Sequence, residues 1–327
     1  MSRTLGRIGR TELPPEQAHA LRKAKRVEWL SLGYAAIAIT LVGLVMGGSQ
    51  AMRTAWIEDM LSTVPQFAFL IALTVIRRPP DPKHPYGYHR AMGVGHLVAG
   101  VALLAVGGTL AFDAVAGLIA VEHPSIGTVQ LFGTTIWLGW LMVGTIVLIS
   151  APPVILGIVK MRLAKQLHSK LLYADADMMR ADWTTHIGSI VGVLGVGIGI
   201  WWLDSAAALF ISVGILWDGV KNTRASVLDL MDMRATTVDQ SEREPLIRRI
   251  DETLQRLPWV ADAASRVRDE GHVFHVEAYV VPKRSKVRVT DVDAAVEEVV
   301  ALDWRVQDVS VAVLSELPTP EREIPPR

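Results

Sequence analysis

Leu171–Leu203, LLYADADMMRADWTTHIGSIVGVLGVGIGIWWL, is the stretch that decides the fold. It opens with three carboxylates, Asp175, Asp177 and Asp182, and adds His186 one helical turn later. From Ile187 to Leu203 it carries no charge at all. That second half is rich in Gly and Val and ends in two tryptophans, the composition of a helix set in lipid or packed on other membrane helices. An acid inside such a segment is costly unless it faces a water-filled cavity or binds a cation. Asp182 and His186 are four apart and Asp175 and Asp182 seven apart, so all three share one helical face. Acids at a helix start also complement the macrodipole, a reading that fits Asp175 and Asp177 better than the deeper Asp182.

Working outward, the composition agrees. Half of the 327 residues are hydrophobic, the formal net charge is zero and the mean hydropathy is +0.32. A chain this apolar that is still 20% charged must segregate the two classes. It does: the long apolar runs lie between residue 28 and about residue 220, and the charges crowd both ends. Zero net charge gives no footprint for nucleic acid. The absence of cysteine excludes disulfides, thiolate metal sites and thiol catalysis. No apolar core precedes residue 28, so the N-terminus does not read as a cleaved signal peptide.

Six apolar segments follow one another, at about Val27–Gly47, Ala51–Ile76, Ala91–Ala120, Val129–Val159, the opening stretch, and Ser205–Val220. All but the last exceed the roughly 20 residues that cross a bilayer, and the last can continue helically towards Met231. Lys and Arg crowd the N-terminus, the second loop (Arg77, Arg78, Lys83, Arg90), the fourth (Lys160, Arg162, Lys165, Lys170) and the chain after the sixth segment. In the other loops Arg53 is the exception. The positive-inside rule then gives six spans in the cell's inner (plasma) membrane with both termini cytoplasmic.

The second segment carries its own charge. Glu58 and Asp59 lie about 10–15 Å from its outer end at the helical rise. Ser62 falls one turn below Glu58, and Pro65 is placed to kink the helix where a cavity would form. Adjacent acids point about 100° apart, so one of the two is expected to face Asp182.

The second loop, RRPPDPKHPYGYHRAMGVGH, reads as a short stiff turn between helices. Its HPYGYHRA at residues 84–91 resembles the loop motif of the cation diffusion facilitator family of divalent-metal transporters. ADADMMRADWTTHIG in the fifth segment and WWLDSAAALFISVGILWDGVKNTRASVLDLMD in the sixth are similar to the same family. The resemblance spans about residues 28–316. It implies a transport site of two ligands four apart on the second span and two on the fifth, here Glu58 with Ser62 and Met178 with Asp182. Of these, Asp182 alone keeps the family's residue type. Asp59, Asp175, Asp177 and His186 stand near enough to compensate. Tetrahedral zinc sites take nitrogen, thiolate or carboxylate donors. Carboxylate, hydroxyl and water ligands favour harder octahedral ions such as manganese or magnesium, while the Met178 thioether points to a softer one. The cargo is left among manganese, zinc, iron and magnesium.

After Asp232 the chain turns soluble in character. Leu246, Ile247, Ile250 and Leu254 mark one face of a helix over 241–256. Ala263–Arg268 and His272–Val281 read as strands around an Asp269-Glu270-Gly271 turn. Thr290 is expected to cap a second helix over Asp291–Leu302, and Val306–Leu314 is a third strand. This small α+β sandwich is similar to the family's ferredoxin-like cytosolic domain, which pairs across a homodimer. His272 and His275 read as surface and strand residues before they read as metal ligands. The expected division is therefore a cytosolic segment 1–27, a six-span transport domain 28–232, a cytosolic ferredoxin-like domain 233–316 and a disordered tail 317–327.

Three function classes compete. A secondary transporter exporting a divalent cation in exchange for protons fits the intramembrane acids, since metal binding displaces protons from carboxylates and histidine. A membrane hydrolase would need a nucleophile with a base or HExxH spacing, and the sequence has neither, so no enzyme is expected. A sensor or scaffold that has kept the fold and lost transport is the alternative, motivated by Ser62 and Met178. The expected partners are a divalent cation, protons, the lipid bilayer and a second copy of the chain; no nucleic acid and no permanently bound cofactor are expected.

Overall fold

The computed structural model describes residues 13–131 and 133–318. The tail read as disordered, 317–327, lies outside the described residues from 319 onward, as do the first 12 residues. Two units emerge. One comprises residues 19–72 with 94–227, the other residues 73–93 with the chain from 228 onward.

The first unit is helical. Helix α1 spans Pro15–Val45, α2 Gln50–Leu61, α3 Thr63–Ile76 and α4 Ala91–Ile119. A hairpin of β1 (Thr128–Leu131) and β2 (Thr134–Trp137) leads into α5 (Leu138–Leu167), α6 (Lys170–Gly197) and α7 (Trp202–Leu230). Large apolar side chains such as Trp29, Ile37, Leu44, Phe112, Ile155, Phe210 and Trp217 are exposed along these helices. Exposed hydrophobics on this scale are the signature of a lipid-facing surface. The protein is therefore a multi-pass membrane protein, and five helices, α1, α2–α3, α4, α5 and α7, are long and apolar enough to cross. Helix α6 is 28 residues long, but its acids and Arg180 keep it below the apolarity of the other five.

Packing relies on small residues. A Cβ on Gly219 of α7 would stand 2.6 Å from the Leu104 backbone nitrogen of α4, so the two helices meet backbone to backbone only because that position is glycine. The second span breaks at Ser62. Pro65 has no N–H to offer the Leu61 carbonyl, and α2 stops at Leu61. The hydroxyls of Ser62 and Thr63 donate instead to the Glu58 and Met60 carbonyls, at 3.1 and 2.6 Å. By contrast Pro152 and Pro153 are carried inside α5.

Two segment boundaries differ from those expected. Residues 129–137, placed at the head of the fourth span, form the hairpin; β-branched residues on both strands and Gly133 at φ +81° favour a turn over a helix. The fifth segment stops at Gly197 rather than Leu203, because Gly199 takes φ +89° and the two tryptophans fall to the turn and the start of α7.

In the second unit, α8 (Leu246–Arg256) and α9 (Val289–Leu302) cover one face of a sheet in the order β3 (Val260–Asp269), β4 (Phe274–Pro282), β5 (Val306–Val313). β3 and β4 are antiparallel; β4 and β5 are parallel and joined through α9. Val267, Phe274, Val276, Ala278 and Val280 face Leu246, Ile250, Leu254 and Val299 in the core. The α9 cap is Arg288 rather than Thr290, since the Asp291 carboxylate reaches back to the Arg288 backbone N–H.

Candidate metal site

The charged residues of the helical unit fall into two groups. The first is a closed triad. Lys160 of α5 donates to Glu28 of α1 at 2.9 Å and to Asp175 of α6 at 2.5 Å, and the three side chains are 0–2% exposed. Asp177, the next acid on α6, is paired with Lys221 of α7 at 3.0 Å. Both residues stood among the expected ligands, and in this structure each is ion-paired with a lysine.

The second group surrounds a cavity of about 460 Å³ between α2, α4, α6 and α7, lined among others by Glu58, Met178, Thr184, Thr185 and Asp218. Glu58 accepts a hydrogen bond from the Thr185 hydroxyl at 3.1 Å, while its other carboxylate oxygen is buried without a partner. Asp182 sits between Met178 and Thr185 on α6, within coulombic reach of Glu58, Asp59 and Asp218. Asp59 lies within coulombic reach of Asp182 and of Tyr34 on α1, while Glu58 is the second-span acid that lines the cavity. No Lys or Arg forms an ion pair with Glu58, Asp59, Asp182 or Asp218 among the described residues. His186, one turn beyond Asp182, is buried with Nδ1 unpartnered. The Ser62 hydroxyl proton goes to its own helix.

No three His, Asp or Glu side chains among the described residues are close enough to hold a metal ion in this conformation. Glu58 and Asp218 line the cavity, while Asp59 and Asp182 are not among its lining residues. Met178 and Thr185 add one soft and one hard donor.

Asp218 did not come out of the sequence reading. It is the only charge in SAAALFISVGILWDGV, residues 205–220, and the reasoning that singled out Asp182 applies to it equally. Lys160 and Glu28 left no such signal. They stand at the edges of apolar runs, where a charge is ordinary, and only the fold brings them together.

The HPYGYHRA loop belongs to the other unit and holds no ligand cluster. Tyr88 and the backbone N–H groups of His84 and Lys83 donate to Asp81, holding its carboxyl down at about 2. Gly87 takes φ +81°. Arg90 donates to the Leu230 carbonyl at 2.9 Å and pairs with Asp232, tying the loop to the end of α7.

A family model of the cation efflux transmembrane domain matches residues 29–231. The chain is 25% identical over 225 residues to the manganese efflux system protein MneS of Bacillus subtilis, covering 67% of this chain and 73% of that one. The uncharacterized transporter YdbO of the same organism is 27% identical over 298 residues, covering 82% and 98%. The magnetosome protein MamM of Paramagnetospirillum magneticum is 24% identical over 238 residues, covering 70% and 69%.

Proposed function

The chain belongs to the cation efflux family and is a membrane transporter of metal cations, and on that premise we propose that it exports a divalent cation from the cytosol in exchange for protons. The observation that carries this reading is the cavity itself: Glu58 and Asp218 face it, and Asp182 lies within coulombic reach of both. None of the three is in a direct ion pair with Lys or Arg among the described residues, Lys160 and Lys221 acting on Asp182 and Asp218 only at a distance. Acids in that state need a cation or protons for compensation, and exchanging one for the other is the coupling an antiporter requires. Glu58 and Asp182 supply the formal charge, Asp218 adds to it, and Asp59 is the alternate from the second span. His186 backs Asp182 from the next turn.

Oxygen donors favour a hard octahedral ion, and a manganese exporter is among the relatives, so manganese is the first cargo to test. On this reading α6 supplies the sixth crossing, residues 28–232 are the transport domain, and both termini face the cytoplasm across the plasma membrane. Residues 233–316 form a cytosolic domain that pairs two copies of the chain. Light scattering in detergent checks the last point: a mass of two copies is expected, and a monomer at every concentration contradicts it.

Transport is tested in proteoliposomes, screening manganese, zinc, iron, magnesium and cobalt for cation-stimulated proton flux. Asp182→Asn keeps the size and removes the charge. It is expected to abolish the flux while the protein still inserts. Wild-type flux in that variant, with Asp59→Asn dead, would move the site to a different register; binding without flux in the wild-type chain would favour a sensor.

A further inference from the structure

The cytosolic unit holds a second cavity, of about 350 Å³, on the sheet face opposite its helices. Arg266 and Arg268 of β3, His275 and Glu277 of β4, and Asp232 and Arg234 from the segment after α7 line it. Arg266 stands across the ladder from Glu277, and Arg268 across from His275. We propose that this cavity binds a phosphate group.

Charge comes first. Three guanidinium groups and two carboxylates line the cavity, with Glu270 3.3 Å from Arg268 outside the lining, so the lining itself favours an anion over a divalent cation. Guanidinium forks match phosphate oxygens in bidentate geometry. The second observation is His275. It is 8% exposed, it lines the cavity, and its buried Nδ1 has no hydrogen-bond partner. A buried polar nitrogen without a partner is a cost the fold carries unless a ligand satisfies it. A neutral imidazole can donate that N–H to a phosphate oxygen, and a protonated one does so with charge.

Position narrows the source. Helix α7 continues about ten residues past the apolar segment to Leu230, and Asp232 and Arg234 follow within four residues, on the side where the sixth span leaves the bilayer. A lipid headgroup can present its phosphate there; a soluble phosphate compound offers the same chemistry from the water side. Either source has the same consequence. Arg268 lies 3.3 Å from Glu270 and 3.8 Å from Asp232, and Asp232 is also the partner of Arg90 in the 84–91 loop. A phosphate that engages Arg268 competes with Asp232 for it and leaves Asp232 to Arg90. Occupancy of the cavity is thereby read by the loop that joins two membrane helices.

The test uses the full chain in phosphatidylcholine nanodiscs. One arm replaces part of the lipid with phosphatidylglycerol and counts retained lipid by native mass spectrometry. The other titrates inorganic phosphate and ATP and measures affinity by thermophoresis. One arm is expected to show saturable binding, and Arg234→Gln/Arg266→Gln is expected to weaken it about tenfold. Glu277→Gln removes a lining carboxylate and is expected to tighten it about threefold, a direction that misfolding cannot imitate. The proposal is overturned if neither arm exceeds the phosphatidylcholine control, if Glu277→Gln fails to tighten binding, or if manganese binds there and Glu277→Gln loses it. The readout is binding, so its failure leaves the transport reading untouched.

Discussion

Asp175 and Asp182 lie seven residues apart on one face of α6, and the structure gives them opposite surroundings. Asp175 meets Lys160 at 2.5 Å, with Glu28 on the same ammonium and all three side chains buried. Asp182 makes no direct ion pair among the described residues: it lies within coulombic reach of the acids Glu58, Asp59 and Asp218 beside a cavity of about 460 Å³, and senses Asp175 and Lys160 only at a distance. An ion in a low-dielectric interior must be matched. Where the chain supplies the match, the charges lock helices together. Where it does not, the match comes from outside, and the acids form a candidate site. Helical phase put the two aspartates in one group; a lysine on another helix separates them.

The largest effect is expected where the match is internal. Lys160→Met leaves Glu28 and Asp175 facing one another in the bundle, and stranding a buried carboxylate costs about 3–5 kcal/mol. We expect little folded protein by fluorescence-detected size exclusion, and recovery in the triple variant Glu28→Gln/Lys160→Met/Asp175→Asn, which removes every charge together. A well-folded Lys160→Met would mean the triad is not a lock, and would return Asp175 to the ligand list.

The candidate site should answer the opposite way. Asp218→Asn removes a buried acid that has no direct ion pair among the described residues, Lys221 acting on it only at a distance, so the fold is expected to hold or to gain stability while cation flux falls about tenfold. The fall is expected to be smaller than for Asp182→Asn because Asp218 only adds to the charge that Glu58 and Asp182 supply on the proposed reading. Melting temperature and proteoliposome flux, measured on the same preparation, check both halves. A variant that loses stability and flux in parallel would make Asp218 structural, and the comparison between the two groups would fail.

Much of this was legible beforehand, and the gaps have physical causes. The long helices follow from runs of apolar residues, and the α+β unit follows from Leu246, Ile250 and Leu254 at helical spacing and from the alternation around Val276 and Ala278. Hydropathy is local, so elements that depend on it can be read. The 128–137 hairpin was hidden because β-branched residues are as apolar as a span. Glu58, Met178 and Asp182 were singled out from their spacing and their resemblance to a known pattern; Glu58 and Met178 line the cavity, and Asp182 lies within coulombic reach of Glu58. The triad was not: Glu28 and Lys160 are 132 residues apart, and neither looks unusual where it stands.

The smallest effect sharpens the comparison by changing the solvent. Arg305 stands between Glu244 at 3.1 Å and Asp303 at 3.0 Å, the same arrangement of one base and two acids as Lys160, but in the cytosolic unit with Arg305 15% exposed. Burial alone would raise the Asp303 carboxyl; hydrogen bonds from the Arg305 guanidinium and backbone N–H outweigh it and hold it below the usual aspartate value. A carboxyl lowered in the folded state contributes stability that is fully present above the unfolded value near ~4 and is lost as pH falls through the lower folded value. The contribution is therefore flat from pH 7 to about 4 and declines below that. Water screens the pair, so its size is at most about 1 kcal/mol. Hydrogen exchange of α9 and β5 against pH is the measurement, with Asp303→Asn expected to lower protection slightly at pH 7 and to remove part of the acid-side decline. If Asp303→Asn instead unfolds the unit as Lys160→Met is expected to unfold the bundle, solvent is not what separates the two triads.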